Sequence, residues 1–173
     1  MRKVSISSIL CVAALLFAVA TVDAQEDSDS PCSTDKAHQF DFWIGDWEVT
    51  TPDGQVAGRN EIVPLLDGCV LMENWVGTSG SKGTSYNFYN PRKERWQQFW
   101  VWQNGTTLET EGGLVDGSMV LEGESLDREG KPVVNRITFY DNPDGTVRQH
   151  WEISRDGGET WRTAFDGLYR KSS

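Results

Sequence analysis

The chain has 173 residues, with 16 basic and 26 acidic side chains, two histidines and a net charge of −10. Once an N-terminal leader is set aside, that length holds a single domain of ordinary size. No basic cluster offsets the acidity, so a phosphate backbone or an anionic membrane surface is repelled, and neither nucleic-acid binding nor electrostatic membrane docking is expected.

Arg2 and Lys3 precede an apolar run from Ile9 to Ala20, which gives way to Thr21-Val22-Asp23-Ala24. A basic start, an apolar centre and a small final residue describe a secretory signal peptide, residues 1–24, removed after Ala24. The run is shorter than the roughly 20 apolar residues of a membrane span, so no membrane insertion is expected after cleavage. Loss of Arg2, Lys3 and Asp23 takes the net charge from −10 to about −11. Cys11 leaves with the signal; Cys32 and Cys69 remain, an even pair that reads as a disulfide in an exported protein. Residues 25–36 are polar, acidic and without periodicity, a flexible leader to the single domain over 37–173.

The domain opens on Phe40-Asp41-Phe42-Trp43-Ile44-Gly45-Asp46-Trp47-Glu48-Val49. An aromatic-rich helical turn passes through Gly45 into a strand in which Trp47 and Val49 alternate with Glu48 and Thr50. Such a segment closes a small β-barrel: the turn plugs one end and Trp47 lies across the floor. Turn signals then recur at short intervals: Asp53-Gly54, Asp67-Gly68, Asn104-Gly105, Asp116-Gly117, Asp144-Gly145 and Asp156-Gly157-Gly158. Asp-Gly and Asn-Gly supply the positive φ of tight hairpins. Between them the pattern predicts ten strands, at 46–51, 55–63, 69–77, 84–90, 95–103, 106–115, 118–126, 132–140, 146–154 and 160–170. Turns this short favour an antiparallel up-and-down barrel, in which closure removes exposed sheet edges. Ser154 to Trp161 resembles one copy of an Asp-box, and a single copy reads as a hairpin stabiliser.

Side chains two apart share a face of a strand. Leu71, Glu73 and Trp75 go together, as do Ser85, Asn87 and Tyr89, then Trp96, Gln98, Trp100 and Trp102. Arg148, His150 and Glu152 oppose Val147, Gln149, Trp151 and Ile153. Apolar walls with a few orienting polar groups are what a small-molecule pocket needs, and parity alone leaves open which face turns inward. The candidate ligand-binding residues are Glu73, Trp75, Asn87, Tyr89, Gln98, Trp100 and Arg148. No nucleophile elbow, metal-ligand spacing or phosphate loop is present in the sequence, so no metal and no cofactor are expected. Glu73 and His150 are the remaining acid–base candidates, and Glu73 with Glu152 is a conceivable carboxylate pair across strands.

Several motifs, in order, resemble a family of exported bacterial proteins grouped as domain of unknown function 1579. They are Phe40-Asp41-Phe42-Trp43-x-Gly45-x-Trp47, Gly68-Cys69-x-Leu71-x-Glu73-x-Trp75, Ser85-x-Asn87-x-Tyr89 and Trp96-x-Gln98-x-Trp100-Val101. Gly117-x-Met119-x-Leu121-x-Gly123, Val147-Arg148-Gln149 and the run from Asp156 through Phe165-Asp166-Gly167-x-Tyr169-Arg170 complete the set. The resemblance implies bacterial export, to the periplasm or the medium, and carries no activity with it. Gly45-x-Trp47 is also similar to the first-strand signature of the lipocalin and fatty-acid-binding (calycin) barrels. That similarity implies Arg170 stacking on Trp47, and ten strands fit the fatty-acid-binding version. The glycine-rich first-strand motif of the haem-binding nitrobindins is missing here.

The expected protein is thus an all-β, calycin-like barrel of about ten strands with a helical plug, taking a small hydrophobic or amphipathic molecule. The alternative is a lyase or isomerase working in the same pocket without metal or cofactor.

Overall fold

The computed structural model describes residues 32–172, so the signal peptide and most of the acidic leader lie outside the described residues. Ten antiparallel strands follow two 3-10 turns, Asp35–His38 and Asp41–Trp43. They are β1 (Gly45–Thr50), β2 (Val56–Leu65), β3 (Val70–Gly77), β4 (Lys82–Asn90) and β5 (Arg95–Trp102). The second half comprises β6 (Thr107–Val115), β7 (Ser118–Leu126), β8 (Pro132–Asp141), β9 (Val147–Ser154) and β10 (Arg162–Lys171). Each strand pairs with its neighbours in sequence, and β1 also pairs with β10, from Trp47 opposite Lys171 to Thr50 opposite Leu168. The sheet is therefore a closed up-and-down barrel.

Turn chemistry sets this order. Between β6 and β7, Val115 pairs with Ser118 across two residues, Asp116 and Gly117, whose φ angles of 48° and 82° belong to the hairpin turn that follows the sheet's twist. The Asp-box segment between β9 and β10 is held by its own side chains. Asp156 accepts from Thr160 N at 2.9 Å and from the Ser154 hydroxyl at 2.7 Å, while Trp161 Nε1 donates to Gly158 O and its ring lies 3.9 Å under Arg136. The Thr160 hydroxyl also donates to Asp156, and together these bonds hold the Asp156 carboxyl down at a pKa of about 2, that hydroxyl contributing most.

One end of the barrel is filled by aromatic rings. Phe40 and Trp43 are fully buried and stacked, with centroids 4.9 Å apart. Phe40 meets Trp96 and Phe139 edge-on, and Trp43 packs on Phe139 and Tyr169. Trp47 Nε1 donates to Trp43 O at 2.8 Å, and Trp96 Nε1 donates to Lys36 O, which fastens the plug to the wall. The Cys32–Cys69 disulfide, 37 residues apart in sequence, ties the start of the plug to the β2–β3 turn at the same end. The expected stacking of Arg170 on Trp47 is corrected: the Lys171 ammonium lies 3.8 Å from the Trp47 ring, while Arg170, one residue earlier, points outward and bonds the Thr50 hydroxyl. Strand parity accounts for the exchange, because Lys171 pairs with Trp47 and Arg170 pairs with Glu48. The outer wall carries exposed charges at Glu48, Arg59, Glu61, Glu109 and Glu122.

Candidate functional site

Away from the plug the interior opens into a cavity of about 330 Å³, within the usual range for small-molecule sites. Its walls come from the far ends of β2 to β6 and of β8 to β10. Trp75 meets Phe165 edge-on at 6.0 Å, Trp100 meets Trp102 at 5.5 Å, and Trp102 lies 6.2 Å from Trp151, so five rings face one space. Gly83 makes room for this wall: a Cβ there would lie 2.1 Å from the Trp100 ring. The Trp151 indole donates to Asn135 Oδ1, whereas the buried Trp100 Nε1 has no acceptor among the described residues.

The floor is a belt of hydrogen bonds that crosses six strands. Gln98 Nε2 donates to Asn87 Oδ1 (2.8 Å), Asn87 Nδ2 to Ser85 Oγ (2.8 Å), and Ser85 Oγ to Glu73 Oε2 (2.6 Å). From the other side Asn60 Nδ2 donates to Glu73 Oε1 at 2.7 Å and, more weakly at 3.3 Å, to the Tyr169 hydroxyl, which in turn donates to Gln149 Oε1. Both directions converge on Glu73, which only accepts. It is 4 % exposed, and its partners are two neutral donors with no cationic side chain among the described residues beside it. Burial pushes its carboxyl up to a pKa of about 7 against the lowering effect of Ser85 and Asn60. Burial, with the Glu73 charge nearby, also raises the Tyr169 phenol well above its usual value, so that hydroxyl stays neutral. A group near pKa 7 at a cavity floor is able to accept a proton, to donate one, or to pair with a positive charge.

The structure brings Glu73, Trp75, Gln98 and Trp100 together along this cavity. Asn87 lies in the belt behind Gln98 and Ser85, anchored to Leu71 O. Two of the expected pocket residues lie outside the lining of this cavity. Tyr89 packs on Trp96 beside the plug, under Lys36. Arg148 lies on the outer face of β9, where both oxygens of Asp166 hold it at 2.8 and 2.7 Å. His150 and Glu152 share that outer face; His150 bonds the Thr163 hydroxyl, and the wall separates Glu152 from Glu73, which excludes a carboxylate pair. On β9 the inward residues are Val147, Gln149 and Trp151, the more apolar of its two faces.

Sequence reasoning missed Asn60, Gln149 and Tyr169 of the belt, and Trp102, Trp151 and Phe165 of the wall. Asn60 sits opposite Trp75 in the β2–β3 register, and Gln149 opposite Gly167 in β9–β10. Trp102 shares the face of Trp100 and was legible by parity. The others depend on cross-strand register.

Fold and site together define a closed ten-stranded antiparallel barrel with an aromatic-walled cavity and one buried carboxylate on its floor. No family model and no curated protein matches the chain.

Proposed function

We propose that this protein is an exported barrel, periplasmic or secreted, that holds a small, partly apolar molecule in its cavity. The observation that carries the reading is the pairing of an aromatic wall with a polar floor in one space of about 330 Å³, the mixture that orients an organic guest. Export rests on the signal-like residues 1–24, the disulfide and the motif resemblance to exported bacterial proteins. Native mass spectrometry of the protein purified from its own compartment tests it. The expected spectrum carries a reproducible adduct of roughly a few hundred daltons, the size such cavities enclose. Trp100→Ala loses the adduct and Arg148→Ala, on the outer face, keeps it. An adduct indifferent to Trp100→Ala, or none even after exposure to a cell extract, rejects the reading.

Glu73 gives a specific reason for a second reading, a lyase or isomerase with Glu73 as general base. A buried carboxyl with a pKa of about 7, beside the Tyr169–Gln149 pair, suits abstraction of a proton next to a carbonyl. Incubating a metabolite extract with the protein in D2O checks this. Solvent deuterium enters at least one metabolite with the native protein and not with Glu73→Gln; identical labelling in both samples removes the enzyme reading.

A further inference from the structure

The cavity has two charged side chains among its lining residues, Glu73 and Lys82. Lys82 is exposed at the rim, at the first residue of β4, with its ammonium in water. Glu73 is at the floor, and no cationic side chain among the described residues pairs with it. Every belt group facing it is a neutral donor, from Asn60 on β2 and Ser85 on β4. Tyr169, from β10, is neutral as well. The nearest arginine and histidine of β9 are on the other side of the wall, Arg148 already paired with Asp166. A buried carboxylate without a counter-charge is costly, and a fold with no use for it would replace it with an amide.

The second observation is the wall. Besides the Tyr169 phenol, five aromatic rings, four of them indoles, border the same space as this carboxylate. An indole face carries negative electrostatic potential and attracts a cation, most strongly where water is excluded. Aliphatic guests gain from any apolar wall; a wall of indoles over an unbalanced carboxylate gives extra stabilisation to one class of guest.

Resting on the binding reading above, we propose that the guest is an organic cation: an amine or quaternary ammonium whose charged end pairs with Glu73 and whose carbon substituents lie against Trp75, Trp100, Trp102, Trp151 and Phe165. An anionic amphiphile is disfavoured, because its carboxylate at Lys82 would still leave Glu73 buried beneath an apolar tail. The negative charge of the whole chain adds a weak long-range attraction for the same guest.

The test uses three probes of one size: benzyltrimethylammonium, its neutral carbon isostere neopentylbenzene, and the anion phenylacetate. Titration is followed by calorimetry and tryptophan fluorescence. At pH 8 the cation binds about tenfold or more tighter than the isostere, as expected for a desolvated cation–π site with an ion pair. The charge of this cation does not change with pH, so its affinity reports the carboxyl alone. It rises about thirtyfold from pH 5.5 to pH 8.5 and levels above pH 7, while the isostere's affinity stays flat. Glu73→Gln removes the pH dependence and brings the cation's affinity at pH 8 down to about its pH 5.5 value, leaving only the preference that the indoles supply; a cation titration unchanged by Glu73→Gln overturns the proposal. Equal binding of cation and isostere overturns the proposal and leaves the binding barrel standing, as does tightest binding of phenylacetate. Failure of all three probes to bind overturns both.

Discussion

At 4 % exposure, Glu73 accepts hydrogen bonds from Asn60 and Ser85 and meets no cation among the described residues, which leaves its carboxyl easier to protonate in the folded protein than in the unfolded chain. Its folded pKa of about 7 is above the ordinary value of 4.5, so between those values the folded state binds the extra proton. Stability from this group is present at low pH and is lost as pH rises from about 4.5 through 7, the reverse of a salt-bridged carboxylate. A shift of this size corresponds to on the order of 3 kcal/mol. Glu73→Gln, close in shape, is therefore expected to be more stable than the native protein at pH 8 by up to that amount, and about equal to it at pH 4.5. Asn60 is able to turn its otherwise unpartnered Oδ1 toward the new amide. Thermal melts across pH 4.5–8.5 check this, and a variant less stable at pH 8 than the native protein contradicts it.

Among the elements, the plug combines most of the constraints. It is too short for an α-helix, and its two 3-10 turns are held in place by burial of Phe40 and Trp43, by indole hydrogen bonds and by the disulfide. On the loop-entropy account, a bridge spanning 37 residues stabilises the fold by about 4 kcal/mol. The double variant Cys32→Ser, Cys69→Ser is expected to lose about that much in denaturant unfolding while keeping cavity binding, since the bridge is at the far end. An unchanged unfolding midpoint would show that the plug is held without it. Strand limits also show where local sequence reading ends. β7 runs over Ser118–Leu126, the expected span, because its turns are tight Gly-containing signals. β10 starts at Arg162, two residues later than expected, since Thr160 is engaged by Asp156 in the preceding turn. β4 starts at Lys82, earlier than expected: Gly83 reads as loop locally, yet it pairs with both Trp75 and Trp102 to accommodate the Trp100 ring.

For the whole molecule, closure was legible because ten strands with short turns favour an up-and-down sheet whose edges are removed by closing it, and β1 pairs with β2 and β10 accordingly. Half the site was not legible. Mixed faces on β9 made Arg148 look as good as Gln149, and an inward amide and an outward guanidinium differ by one position of parity. Asn60 reaches Glu73, and Tyr169 in turn reaches Asn60, only through cross-strand register. The closed end has a further consequence. Cys32 enters the fold beside the plug, and Lys171 ends β10 against Trp47 and Ile44 O at the same place. Both ends of the described chain thus leave from the base of a cup whose mouth faces the opposite way. A bead, a sensor surface or a fluorescent reporter joined next to either of these described ends would sit behind the base, and the mouth would stay open to the solution being sampled.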